Sequence, residues 1–130
     1  MTERKIGATR RNEATRIDIQ EKPLGPMPGF SLSIPRCVAN ILIPDKRVDN
    51  AELIAIAQEQ MRVIIGFGKH YCAMAFHFWT DKKVVGKEEA RAVVDFGPDG
   101  KWEDALKAKI ADYSKHSFKV MHNRTGGEGE

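Results

Sequence analysis

The order of hydrophobic patterns from Phe30 onward predicts an α+β protein: a two-layer sandwich whose antiparallel sheet carries two helices on one face, in the ferredoxin-like βαββαβ order. Three observations lead there. Apolar residues alternate at a two-residue period in segments near 30–44, 70–80, 90–97 and 116–121, and recur every three or four residues over 49–68 and 101–115. Gly and Pro clusters separate these stretches, and 130 residues with 42% hydrophobic content suit one core. The expected division is a basic, disordered tail over 1–16, one α+β domain over 17–122 and a polar, frayed end over 123–130.

The tail carries Arg4, Lys5, Arg10, Arg11 and Arg16 against Glu3 and Glu13, which leaves sixteen charges of each sign in the rest of the chain. A basic tail on a balanced body is attracted to phosphate without needing a shaped pocket, so these five residues are a candidate nucleic-acid contact. After it, "RIDIQ" alternates Ile17 and Ile19 with polar residues as a short edge strand would, and "EKPLGPMPGF" is a loop by its three prolines and two glycines. In "FSLSIPRCVANILIP", Leu32 and Ile34 have one parity while Cys37, Ala39, Ile41 and Ile43 have the other, which predicts a bulge or bend near Pro35.

"VDNAELIAIAQEQMRVIIGFG" is a helix with Asp49 as N-cap and Glu52 three residues on. Leu53, Ala57, Met61 and Ile64 form its apolar stripe, and Gly66 or Gly68 ends it. "HYCAMAFHFWT" gathers His70, Cys72 and His77 in one stretch, but a strand sends Cys72, Met74, Phe76 and Phe78 to one face and Tyr71, Ala73, Ala75, His77 and Trp79 to the other. Zinc asks for four convergent ligands, so no metal site is expected here, and no cofactor motif occurs elsewhere. A hairpin through "KKVVGK" leads to a strand with Ala90, Ala92, Val94 and Phe96 on its apolar side. "GPDG" then turns the chain into a helix bearing Trp102, Leu106, Ile110 and Tyr113, and "HSFKVM" closes the sheet.

"GFGKH" lacks the spacing of a phosphate loop, and "DFG" stands without the other kinase motifs. Neither Cys37 nor Cys72 has a local helix N-terminus or cationic cluster to activate it, and two isolated cysteines suit a reducing compartment. With no signal-like or membrane-length apolar run, the expectation is a cytoplasmic protein with no membrane association. "DFGPDGKWEDA", with the hairpin before it, resembles small bacterial domains in which a strand runs into Pro-x-Gly-x-Trp-x-x-Ala. That resemblance covers about Phe30 to Ala105 and implies no activity and no functional residue.

Helices over one face leave the other open, and that face is expected to display Tyr71, His77, Trp79, Arg91, Val93 and Asp95. A hairpin centred on Gly86 pairs His77 with Asp95 and Trp79 with Val93. Such a surface suits a non-enzymatic binding or assembly module that pairs with a second copy, another protein or a flat ligand. The chain's own segment 16–30 is the other occupant the sequence allows. Two further readings are a nucleic-acid accessory protein using the tail, and a small enzyme using His77 and Asp95 as an acid-base pair.

Overall fold

The computed structural model describes residues 14–23, 34–44, 47–68, 70–102 and 113–125. They form a five-stranded mixed sheet, in chain order across the sheet, of β1 (Thr15–Glu21), β2 (Arg36–Leu42), β3 (Ala73–Trp79), β4 (Ala92–Pro98) and β5 (His116–Asn123). One helix lies among the described residues, α1 (Asn50–Gly66), between β2 and β3. No helix among the described residues is long and apolar enough to cross a membrane.

This topology corrects the ferredoxin-like expectation. A split βαβ unit inserts a strand between its two parallel strands, whereas β2 and β3 here pair directly and in parallel, from Arg36 opposite Ala73 to Leu42 opposite Trp79. All other neighbours are antiparallel, and β1 adds a strand outside β2. Dimensions make the direct crossover natural. A 17-residue helix runs about 25 Å, close to the roughly 23 Å of a seven-residue strand, so α1 returns the chain to the end where β2 began. The two-helix layer is also corrected, to one described helix. The second expected helix, over 101–115, falls largely on residues 103–112, which lie outside the described set together with Leu106 and Ile110.

Local chemistry sets α1 as the sequence implies. Asp49 Oδ1 accepts from the Glu52 N–H at 2.8 Å, satisfying a first-turn donor. Leu53, Ile56, Ala57 and Ile64 are buried, with Met61 partly so beside them. Gly68 takes φ +84° just past the last turn, where a Cβ would be strained. Beneath the helix lie Cys37, Ala39 and Ile41 of β2, Met74, Phe76 and Phe78 of β3, and Ala92, Val94 and Phe96 of β4, joined by Phe118 and Val120 of β5. Each fully buried large side chain among them contributes roughly 1.5–3 kcal/mol relative to exposure.

Burial also separates central from edge strands. β3 is buried at six of its seven positions, which is why "AMAFHFW" reads as an almost continuous apolar run, whereas β5 alternates. The parity change expected near Pro35 is the start of β2 itself: Ile34 packs with Cys72, Ala73 and Trp102 on the side away from α1, and the regular strand begins at Arg36. The Gly97–Gly100 turn has Gly100 at φ +74°, with Asp99 also left-handed at +56°.

Asn123 and Thr125, assigned by sequence to the frayed end, are instead held in the fold. The Val48 N–H donates to Thr125 Oγ1 at 2.9 Å, and that hydroxyl lies 3.0 Å from Val48 O and 2.8 Å from Asn123 Oδ1. Asn123 Nδ2 donates to Val48 O at 2.8 Å, so the end of β5 is tied to the segment that enters α1. Thr125→Val would leave the Val48 N–H buried without an acceptor, at a cost of about 1–3 kcal/mol. The urea midpoint is expected to fall accordingly, and an unchanged midpoint would show that this tie is unimportant.

Candidate functional site

On the sheet face away from α1, the strand register lays side chains in rows. One row runs Asp18, Asn40, His77, Val93 and His122 across all five strands, and the next runs Gln20, Val38, Ala75, Asp95 and Lys119. Within the first row, Asn40 Nδ2 donates to Asp18 Oδ1 at 2.7 Å while Asn40 Oδ1 accepts from Trp79 Nε1 at 2.9 Å. An indole N–H can only donate and a carboxylate can only accept, so these two partners fix which way the Asn40 amide points.

The register corrects the expected cross-strand pairs by two residues. His77 stands opposite Val93, and Asp95 stands opposite Ala75 on one side and Lys119 on the other. The connection between β3 and β4 contains a 3-10 turn (Lys82–Val84) opened by Asp81, whose carboxylate accepts from the Lys83 N–H. The observed pairing is centred on Val85 rather than Gly86, so two fewer residues separate paired positions than the expected hairpin would leave. Without the His77–Asp95 contact the acid-base reading loses the carboxylate meant to orient the imidazole.

Exposure is corrected too. Trp79 is only 3% exposed, and Tyr71 and Asp95 are buried as well, while His77, Arg91 and Val93 are half-buried. The connection after β3 folds back along Trp79, bringing Val85, Glu88, Glu89 and Ala90 beside it, and β1 lies at the sheet edge rather than over the face. Residues 24–30 of the other expected cover lie outside the described set, as do Arg4, Lys5, Arg10 and Arg11 of the tail.

Tyr71 and Cys72 exchange faces relative to the sequence reading, because Cys72 is a bend whose N–H bonds Pro35 O, and alternation starts only at Ala73. Tyr71 joins the core under α1, with its hydroxyl donating to Glu21 Oε2 at 3.2 Å. Burial, with the nearby Cys37 and Glu21, pushes that phenol up to about 12. Cys72 packs instead against Ala73, Ile34 and Trp102.

What the face does hold is a depression of about 440 Å³, within the size range of small-molecule sites. Val38, Asn40, His77 and Val93 of the sheet line it together with Trp79, His122 and the Val85–Ala90 connection, and Gln20 and Lys22 stand at its β1 side. His122 Nε2 lies 3.0 Å from Ala90 O, and since a carbonyl only accepts, that nitrogen carries the proton. Desolvation, and then the neighbouring His122, lower the pKa of His77 and favour its neutral ring. Among the described residues nothing hydrogen-bonds to that ring.

Asn40, His122 and the β3–β4 connection were not singled out from sequence, since only pairing between strands distant in the chain brings them to His77. A depression of similar volume, about 460 Å³, lies at the N-terminus of α1, but there the chain's own Asp49 already occupies the capping position an anion would take.

Other reactive-looking groups have structural partners. His116 Nε2 donates to Cys72 O at 2.7 Å and its ring lies 4.9 Å from that of Phe96. Burial pushes the Cys37 thiol up to about 12, with Glu21 adding to the effect, and raises Cys72 as well. Among the described residues no group of three or more His, Cys, Asp or Glu side chains is placed to hold a metal ion. Compared with protein-family models, with curated proteins and with solved structures, the chain matches none.

Two outcomes follow from these environments. Folded His77 titrates below the ordinary 6.5 of its unfolded form. Between those values the unfolded chain binds more protons, so stability present above 6.5 is lost as pH falls toward the folded pKa. Urea unfolding at about pH 7.5 and about pH 5.5 is expected to show a smaller loss for His77→Gln than for the native sequence; equal losses would remove the proposed desolvation of this ring. Neither cysteine is expected to react with a thiol reagent near pH 8 in the native state, and both should react in denaturant. Rapid labelling of the folded protein would contradict the burial of the thiols.

Proposed function

We propose that the protein is a small non-enzymatic binding module whose ligand site is the depression on the sheet face away from α1. One observation carries the reading: His77 sits half-buried on the floor of a 440 Å³ site, between apolar walls, with no hydrogen-bond partner among the described residues. A half-buried imidazole with no partner among the described residues keeps its donor and its acceptor available, and a ligand able to pair with both gains hydrogen bonds in a partly desolvated setting.

A ligand site accounts for the geometry better than pairing of two flat faces. The sequence reading made Trp79 the anchor for a second copy, yet this side chain is buried and its N–H is committed to Asn40. Arg91 and Val93 are half-buried, so the face offers a recess rather than an apolar plateau. The absence of a carboxylate opposite His77 supports binding over acid-base chemistry.

A mixed-charge panel of one- and two-ring compounds, read by amide chemical-shift changes in labelled protein, tests this. Hits are expected to cluster on Val38, Asn40, His77, Val93 and His122. Val93→Trp should fill the recess and weaken those hits at least tenfold while the rest of the amide spectrum stays in place. Hits scattered elsewhere, or binding that survives the Trp substitution, would refute a site here.

A further inference from the structure

Resting on that reading, we infer that the recess selects an uncharged ring ligand bearing an amide, the class to which aromatic carboxamides and cyclic lactams belong. A ligand entering the recess meets different groups at each depth. Deepest are Asn40 and Trp79, both buried, with the Asn40 amide held from both ends. Its oxygen still has a lone pair, and its nitrogen a second hydrogen, after the bonds to Trp79 and Asp18 are counted. His77 is the next side chain in the row, and a neutral imidazole offers one donor and one acceptor. His122 has committed its Nε2 hydrogen to Ala90 O, and in the neutral ring the other nitrogen is an acceptor. Donors and acceptors are therefore mixed within the recess, as an amide's N–H and C=O require.

No formal charge belongs to these inner groups. Lys22, Glu88 and Glu89 stand on the exposed rim, and Glu89 is already paired with Arg124 at 2.6 Å. Exposed rim charges are screened by water and add little. An anion brought to the floor would lie near the Asp18 carboxylate behind Asn40, and a cation would find only carboxylates that are exposed and screened by water: Glu88 and Glu89 at the rim, the latter already paired with Arg124, and Asp18, already bonded to the Asn40 amide. Either charge would leave water for weak compensation at best, whereas a neutral amide exchanges its hydrogen bonds to water for bonds to Asn40 and His77. The ring itself is accommodated by the apolar surfaces of Val38 and Val93 on the sheet and Val85 and Ala90 on the connection.

Three probes of one size separate charge from shape: benzamide, benzoate and benzylammonium, each titrated into the full chain and followed by amide chemical shifts. Benzamide is expected to move the resonances of Val38, Asn40, His77 and Val93 with a dissociation constant at least tenfold below that of either ion. His77→Phe, which keeps a flat ring but removes both nitrogens, should weaken benzamide at least fivefold, and His77→Gln, which keeps a donor and an acceptor, should restore part of the loss. A charged probe that binds here as well as benzamide would overturn the selectivity while leaving the site itself standing. Silence from benzamide, or indifference to both His77 variants, would overturn the inference outright. Only failure of the whole mixed-charge panel at these resonances would remove the binding site as well.

Discussion

Direct parallel pairing of β2 with β3 is the constraint from which the rest of this structure follows. Parallel neighbours cannot be joined by a tight turn, so the chain must cross over, and α1 is the crossover. Once α1 lies on one face, β3 is fixed in the middle of the sheet, with β2 and β1 to one side and β4 and β5 to the other. Its side chains then need cover on both faces. Met74, Phe76 and Phe78 find it under the helix, while on the other side Trp79 finds it in Asn40 and the connection that leads to β4.

That second face shows how polar groups are accommodated near a core. A tryptophan buried at the sheet centre requires an acceptor for its N–H, and the parallel neighbour supplies Asn40. Asn40 in turn requires an acceptor for its own N–H, and β1 supplies Asp18. The chain of bonds therefore runs outward from the centre to the edge, and it accounts for β1 beyond its modest apolar content. His77, one strand from Asn40 in the same row, is the place where this satisfaction stops. The recess above it is therefore the natural place to look for a ligand.

Periodicity made the strands legible. "RIDIQ", "RCVANIL", "AMAFHFW", "AVVDFG" and "HSFKVM" all lie in strands, and Asp49 caps a helix whose apolar stripe was evident from the spacing of Leu53, Ala57 and Ile64. These features depend on residues within about four positions of one another, over which chain geometry alone decides the outcome. The site was legible only in part. His77, Trp79 and Val93 were named from their shared parity, and they do meet in one place. Tyr71 was lost to a single bend residue at Cys72, and Asp95 was displaced from His77 by a two-residue change of register across the β3–β4 connection. A two-residue change in register leaves every side chain on its expected face while replacing its partner, so no pattern of apolar residues could have revealed it.

By itself, then, the amino-acid sequence determined which segments are extended, where the helix begins and which side of each central strand is apolar, because these follow from side-chain alternation and local hydrogen bonding. Tertiary structure alone decided that β2 lies beside β3, that Trp79 is covered, and that Asn40, His77 and His122 share one row. Those outcomes depend on contacts between residues dozens of positions apart. Their free energy comes from burial and from satisfying polar groups across strands, and neither is encoded in the period of any one segment.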